Sequence, residues 1–533
     1  MDALEKLNFE LAYRRVQDEL SDQRKSARAF VLNPYEQELV ELDLDGWLDH
    51  LRATVLERSY APDEIHLCSA PKGKGLVRPG VLMSLADRVV YTAAVGACVK
   101  PIVTATGWSQ RKIDFAPLFH KTKPQQRHWL LNPFLGWEAW TEQTLHKLNL
   151  SRTKFVVTAD IAGYFENVSI SRLKSEMTRI RCPADIVELV TSCLLRWSMV
   201  RNRGLPQGVL ASDVLSKLYL ESFDRRLKND GLTHVRYSDD IRVFCRSEAE
   251  ARRALVLVIE LLRERGLTTQ SAKTRIRKAD DKLAEEFAGA VPVVKRLHQE
   301  YIEGALASGL IDAEEASVPA SVVDDLMNAE PDAMDPEVFR LAFDRFVVGV
   351  QAPNRTMFRF LLRRLAGAND RCAVTYVARH MIEAPEAIPE ILRYFEDLDS
   401  TRGLEKAVRR ALTSRELSMY PYSRFLLVNW LAANGSPKAS TLAALRKQAF
   451  DTEHPDYLRA AARKALGAFG DASDLDKMAT LLRSSRDPLE RAQLLCSLQR
   501  LEKARRNGLA GRLKNETPWG PLAAKYVRQT RAT

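Results

Sequence analysis

The stretch Val235-Arg236-Tyr237-Ser238-Asp239-Asp240-Ile241-Arg242-Val243-Phe244 decides how the rest of the chain is read. β-Forming residues flank the acidic pair, Val235 and Tyr237 before it and Ile241 and Val243 after it, and arginine alternates with them as half-buried strands require. Ser-Asp-Asp is turn chemistry, which predicts a tight hairpin with two adjacent carboxylates at its tip. Two carboxylates that close repel by roughly 4 kcal/mol at an effective dielectric of about 20. Water tolerates such a pair, and so does a cation between the charges. A solvated turn is the ordinary meaning of an isolated Asp-Asp.

A third carboxylate changes that balance. Phe155-Val156-Val157-Thr158-Ala159-Asp160 is an apolar, β-branched strand that ends in an aspartate. Magnesium takes oxygen ligands, and a pair of such ions can activate an attacking oxygen and stabilise a leaving one in phosphoryl transfer. Aspartates at the ends of two neighbouring strands are a direct way to hold them.

At this point the chain resembles the reverse transcriptases, within the right-hand palm polymerases. Tyr237-Ser238-Asp239-Asp240 matches their Y-x-D-D motif, and Asp160-Ile161-Ala162-Gly163-Tyr164-Phe165 matches the motif of the first metal aspartate with an aromatic five residues on. Gly204-Leu205-Pro206-Gln207-Gly208, followed by Ala211-Ser212, matches the L-P-Q-G segment. The three occur in the family's order. The resemblance implies that Asp160, Asp239 and Asp240 are catalytic and hold Mg2+ or Mn2+, with the Ile161 backbone carbonyl as a further ligand. It implies that Phe165 lies beneath the sugar and disfavours a 2′-hydroxyl, although an ordinary core phenylalanine fits the same position. Gln207 would contact the base pair or template.

Upstream, Pro71-Lys72-Gly73-Lys74-Gly75-Leu76-Val77-Arg78-Pro79 puts three cations in a glycine-bearing turn, a setting that lets backbone and side chains approach phosphates. With Asp87-Arg88-Val89-Val90 beyond it, this resembles the family's fingers. By that resemblance Arg78, with Lys72 or Lys74, binds the triphosphate; otherwise the turn is a solvated basic loop. Asp87-Arg88 fits a role in ordering the fingers. Lys273-Thr274 resembles the motif whose lysine lies near the triphosphate, though with Arg275, Arg277 and Lys278 it also reads as a basic surface. Phe287-Ala288-Gly289 is a degenerate form of the F-L-G turn. Other departures are Val209, Asp213 and Lys217, where the family commonly has glycine, proline and asparagine. Trp108, Trp129, Trp137 and Trp140 lie among basic residues and suit either base stacking or packing of an insertion, so no role is assigned there.

From about 300 onward helical signals dominate. His454-Pro455-Asp456-Tyr457-Leu458 and Asp487-Pro488-Leu489-Glu490 open similar helices, with a weaker relative near Tyr422-Ser423-Arg424-Phe425. Proline at helix starts and a period of about thirty residues resemble HEAT-like repeats, whose units bury their faces against neighbours. A non-repetitive bundle is the alternative. A palm followed by such an array resembles the abortive-infection reverse transcriptases of bacterial antiphage defence. That branch implies DNA synthesis, in some members protein-primed and untemplated, by homo-oligomers. No local motif marks a priming tyrosine.

At 533 residues two or three domains are expected. The formal charge of +11 and a pI near 9.2 suit a polyanionic partner. Seven cysteines without a C-x-x-C pair fit reduced thiols and not a zinc site. The start has no apolar leader pattern and no run approaches the ~18–20 apolar residues of a membrane span, so a cytoplasmic protein without membrane partners is expected.

The expected architecture is α+β: an N-terminal helical segment (1–60), fingers and insertion (61–150), palm (151–290), then an all-α HEAT-like region (291–533). The expected activity is Mg2+-dependent DNA synthesis from dNTPs, with DNA as product and RNA as a candidate template. The rivals are a retron- or intron-type enzyme copying a dedicated RNA, ribonucleotide polymerisation, and an inactive palm that scaffolds a partner-binding solenoid.

Overall fold

The computed structural model describes residues 3–25, 32–73, 75–120, 126–131, 133–198, 200–288, 336–350, 355–401, 403–516 and 519–529. The chain divides into two compact units, each drawing on separated stretches of sequence. Met1–Ser21, Asp45–Leu67 and Gly80–Ala288 make one; Asp22–Leu44, Cys68–Pro79 and Gly289–Thr533 make the other. This differs from four consecutive domains, because 22–44 and 68–79 group with the C-terminal part. Helix periodicity marks where helices run but not which distant core receives them.

Six strands are described: β1 (His66–Lys72), β2 (Leu76–Leu82), β3 (Phe155–Asp160), β4 (Thr233–Tyr237), β5 (Asp240–Cys245) and β6 (Arg275–Lys278). β1 and β2 form a sheet of their own, and the other four are ordered β4-β5-β3-β6 with every neighbour antiparallel. Alternation gives the four-stranded sheet two faces. Val157, Ala159, Ile241 and Val243 lie on one, where the Glu248–Glu264 helix packs against β3 and β5 and the Leu210–Asn229 helix packs against β4. Val156, Val235 and Phe244 lie on the other, in a cluster with Trp140, Leu283 and Phe287 from the Pro133–Leu148 and Asp281–Ala288 helices.

Helix starts follow side-chain caps. Ser169 accepts from Arg172 N at the head of Ile170–Arg179, and Ser247 does the same from Glu250 N for Glu248–Glu264. Ser84 caps Leu85–Ala97, whose Asp87 and Arg88 are both buried. Asp87 accepts from Tyr60 Oη at 2.5 Å and Asp63 N at 3.1 Å, while Arg88 donates to Glu19 at 3.1 Å. Both therefore order this helix from behind.

The insertion has a defined place. Arg236 N donates to Ile113 O at 2.6 Å and Phe115 N donates to Arg236 O at 3.0 Å, so residues 113–115 cover the outer edge of β4. An edge strand's unpaired amides invite unwanted pairing, and this segment takes up the N–H and C=O of Arg236.

In the second unit all described elements from Pro336 onward are helical. The Pro421–Asn434, Asp456–Phe469, Pro488–Cys496 and Gly520–Gln529 helices pack in succession, each against the next. The Leu404–Leu412, Ala439–Phe450, Ala472–Ser484 and Lys503–Leu513 helices alternate with them in sequence and pack beside them. Gly467 shows how close one pair comes, since a Cβ there would stand 2.4 Å from Ser497 O. The Glu36–Val40 segment joins this unit: Tyr35 Oη lies 2.9 Å from Ser497 Oγ, Lys464 donates to Glu38 at 2.6 Å, and Lys525 donates to Leu42 O at 2.8 Å. No single helix among the described residues is long and apolar enough to cross a membrane.

Candidate active site

β3 and β5 bring two of the expected aspartates together. Asp160 and Asp240 are register partners, and side chains of directly opposed residues leave the sheet on one face. Tyr237 pairs with Asp240, so the loop of the β4–β5 hairpin is Ser238 and Asp239 alone. Ser238 has φ of 54°, the left-handed conformation that a two-residue hairpin needs at its first position. The acidic pair is thus split. Asp239 occupies the tip, whereas Asp240 opens β5 and faces Asp160.

The charges feel one another. Burial pushes the Asp240 carboxyl up to about 6, and Asp239 and Asp160 add to the push while Lys273 and Arg242 oppose it. Lys273 donates to Asp160 Oδ2 at 2.5 Å. Burial alone would lower the Lys273 ammonium, yet the bond to Asp160 and the fields of Asp160, Asp240 and Asp239 hold it above its usual value. Lys273 is placed by a turn whose Gln270 N donates to Asp160 O at 2.7 Å. Lys273, expected near a triphosphate or on a basic surface, has its ammonium on Asp160.

Ile161 continues the site. Its N donates to Asp239 O at 3.1 Å, tying the end of β3 to the hairpin tip. Phe165 lies on the short Tyr164–Asn167 helix, half-buried, with its ring 5.5 Å from that of Tyr164. Leu205 N donates to Phe165 O at 2.8 Å and Gly204 N to Val168 O at 3.0 Å, so the Gly204–Gly208 turn is strapped to the aromatic segment. Gln207 is half-buried at the entrance to the Leu210–Asn229 helix. Tyr164 is a packing residue, donating to Ser216 O at 2.5 Å.

Lys72 and Arg78 are exposed on β1 and β2, and both belong to the second unit. Lys74 and Gly289 lie outside the described residues.

A cavity of about 310 Å³ adjoins the acid pair, lined by Asp160, Asp240, Arg242, Lys273, Arg275 and Arg277 among others. Arg242, opposite Thr158 in register, is held between Trp140 and Phe287 with 3.7 Å to each ring centre. The Tyr237 ring meets Trp137 edge-on at 5.3 Å and Trp140 at a tilt at 5.6 Å. Two of the four tryptophans of the 101–150 region therefore pack around the hairpin.

The other face of the hairpin holds a charge cluster that sequence reasoning missed. Lys217 Nζ lies 2.6 Å from Asp114 Oδ2, and Arg236 reaches Asp114 at 3.0 Å and Asp224 at 2.7 Å. All four side chains are 2% exposed or less. Burial lowers the Lys217 ammonium even though Asp114 opposes the shift. Arg236 is held firmly protonated, because Asp114 and Asp224 outweigh its burial. Lys217 in place of the commoner asparagine was the available signal. Its partner Asp114 sits in the insertion, where no motif pointed.

The carboxylates suit a divalent cation whose remaining ligands come from outside the protein. Among the described residues no group of three or more His, Cys, Asp or Glu side chains is arranged to hold a metal ion by itself. Mg2+ characteristically takes one or two carboxylates and completes its shell with water and substrate phosphates, so Asp160 and Asp240, with Asp239 beside them, are an appropriate donor set.

Residues 70–291 match the family model described as reverse transcriptase (RNA-dependent DNA polymerase). Protein YkfC of Escherichia coli (strain K12) is 25% identical over 197 residues, covering 36% of this chain and 46% of YkfC. The chain thus spans less than half the length of that relative. A telomerase structure from Candida albicans, in complex with a TWJ fragment of telomeric RNA, covers 70% of this chain and 67% of its own at 10% identity, with a TM-score of 0.31.

Proposed function

We propose that this chain, whose residues 70–291 match the reverse transcriptase family model, is a divalent-metal-dependent DNA polymerase acting on dNTPs. The observation that carries the reading is the facing of Asp160 and Asp240 across β3 and β5 with Asp239 at the adjoining tip. In this reading those carboxylates, with the Ile161 carbonyl, hold Mg2+ or Mn2+. The metal supplies activation of the attacking oxygen and charge stabilisation at the leaving phosphate. Lys273 meets the phosphates from the β6 side, Phe165 guards the sugar edge, and Gln207 faces the base pair. Arg78, with Lys72 or Lys74, binds the triphosphate of the incoming nucleotide.

The wider reading is an antiphage enzyme of the abortive-infection type, cytoplasmic and homo-oligomeric, whose C-terminal helices form a HEAT-like solenoid. The alternating order of those helices and the prolines at Pro421, Pro455 and Pro488 support the solenoid. Its DNA synthesis starts from a protein hydroxyl, proceeds without a template, or both.

The test is purification of the full chain from cells and of its Asp239→Asn form. Proteinase treatment, nucleic-acid labelling and sequencing then look for covalently attached DNA. Wild type should carry it, or extend an added primer with dNTPs, and the variant should do neither. A co-purifying structured RNA would favour the retron- or intron-type reading. No incorporation under Mg2+ or Mn2+ would favour the scaffold reading.

A further inference from the structure

We propose that Lys217, Asp114, Arg236 and Asp224 are positioning residues that set where Asp239 and Asp240 stand, and hence how tightly the site holds a divalent cation. This rests on the polymerase reading and goes beyond it, because none of the four side chains shares a sheet face with the acids.

The hairpin loop has only two residues, and one of them, Ser238, is an L-residue in left-handed backbone. Nothing in a serine side chain favours that conformation, so the turn needs a brace. Arg236 supplies it. On one strand of the hairpin its Nη1 donates to Ser238 O at 3.0 Å, while Nε and Nη2 fork onto Asp224 at 3.1 and 2.7 Å. Asp224 is fixed on the Leu210–Asn229 helix and also meets His234 Nε2 at 3.3 Å. The guanidinium thus links a rigid helix to the carbonyl between Tyr237 and the two aspartates. A planar fork does this in a way an ammonium cannot, since its donors point in fixed, separate directions.

Lys217 completes the charge count. Asp114 and Asp224 are two buried carboxylates, and Arg236 alone would leave the cluster one charge negative. The Lys217 ammonium on Asp114 makes it neutral without water. Asp114 stands between Ile113 and Phe115, whose O and N are bonded to Arg236 N and O, so the segment that helps neutralise Arg236 also clamps its backbone. Removing Lys217 leaves Asp114 free to draw Arg236 away from Ser238.

The experiment uses the full chain as wild type, Lys217→Met, Lys217→Arg and Arg236→Lys. Mn2+ binding is read by electron paramagnetic resonance without nucleotide, and the half-saturating Mg2+ concentration, KM and kcat are read in primer extension. A fold defect lowers the active fraction and so kcat, but leaves both metal midpoints in place. Positioning moves the midpoints. Lys217→Met and Arg236→Lys should weaken Mn2+ binding and raise the Mg2+ midpoint at least fivefold, with KM for dNTP within twofold, and Lys217→Arg should return both to near wild type. Wild-type metal midpoints in folded Lys217→Met and Arg236→Lys would overturn the inference. If Lys217→Met does not fold, Arg236→Lys decides. Loss of near-ultraviolet dichroism in both would make the cluster a folding element and overturn it equally. Wild type that binds no Mn2+ would instead sink the polymerase reading, and this inference with it.

Discussion

Asp160 and Asp240 stand directly opposite each other on β3 and β5, with Asp160 Oδ2 held by the Lys273 ammonium at 2.5 Å. Two like charges therefore share one sheet face, with a cation bound to only one of them. Such a pair is costly without metal and useful with it.

Asp240→Asn should stabilise the metal-free protein while abolishing synthesis. Asp240 is pushed up to about 6 by burial, Asp239 and Asp160, so its ionised form strains the fold at neutral pH. In EDTA the unfolding midpoint of the variant should rise by about 2 °C or more. Its incorporation of dNTP should fall by about 10²–10³-fold or more. A midpoint that drops instead would show that the carboxylates are not in repulsion.

Lys273→Ala should separate chemistry from stability. The lysine side chain is 57% exposed, and exposed ion pairs contribute at most about 1 kcal/mol. Thermal unfolding should be nearly unchanged, and single-turnover dNTP incorporation should fall by about tenfold or more. An unaffected rate would reduce the Lys273–Asp160 pair to an ordinary surface contact.

Phe165→Ala should relax sugar choice. The ring is half-buried on a segment strapped to the Gly204–Gly208 turn, so its truncation removes bulk without removing an anchor. The ratio of dNTP to rNTP incorporation, measured in competition, should fall by roughly tenfold or more. An unchanged ratio would make Phe165 a packing residue.

Asp87 predicts a pH signature in stability. Burial pushes its carboxyl up to about 7 despite hydrogen bonds from Tyr60 and from Asp63 N. A folded-state value above the unfolded one means the native state binds the proton more tightly. The stabilisation is then fully present below about pH 4 and is lost as pH rises through about 7, by as much as about 4 kcal/mol. Asp87→Asn should flatten the decline of the unfolding midpoint between pH 4 and 7. An equally steep decline in the variant would place its origin elsewhere.

Gly467→Ala should loosen the second unit. The added methyl would meet Ser497 O at 2.4 Å, backbone on a neighbouring helix that can yield only by moving the helix. Overpacking of this kind costs about 1–3 kcal/mol. Hydrogen exchange should rise in 456–469 and 488–496, with little change in β3 and β5.

Much of the site was legible because its signals are local. A β-branched run ending in Asp160 and a Ser-Asp-Asp turn between alternating strands each carry their meaning within a few residues. The β4–β5 pairing followed from turn chemistry set between two alternating strands. What was not legible depends on partners remote in sequence: Asp114 on Lys217, Trp140 and Phe287 on either face of Arg242, Glu19 on Arg88. Nothing in the vicinity of Asp114 distinguishes it from a solvated turn acid. The placement of Asp239 and Asp240 was only half anticipated, because a two-residue loop leaves room for just one of them at the tip.

The packing of residues 35–42 against the far end of the chain has a consequence for biosynthesis. Tyr35 meets Ser497 and Lys525 reaches Leu42 O, bonds that span 462 and 483 residues. At roughly 5–20 residues per second, a ribosome needs on the order of half a minute to a minute and a half to cover that distance. The emerging chain must keep this early stretch, Tyr35 and Leu39 included, out of wrong partnerships until its docking surface has been translated. Nascent chains stalled before residue 490 should expose it to chaperones and proteases that the finished protein resists.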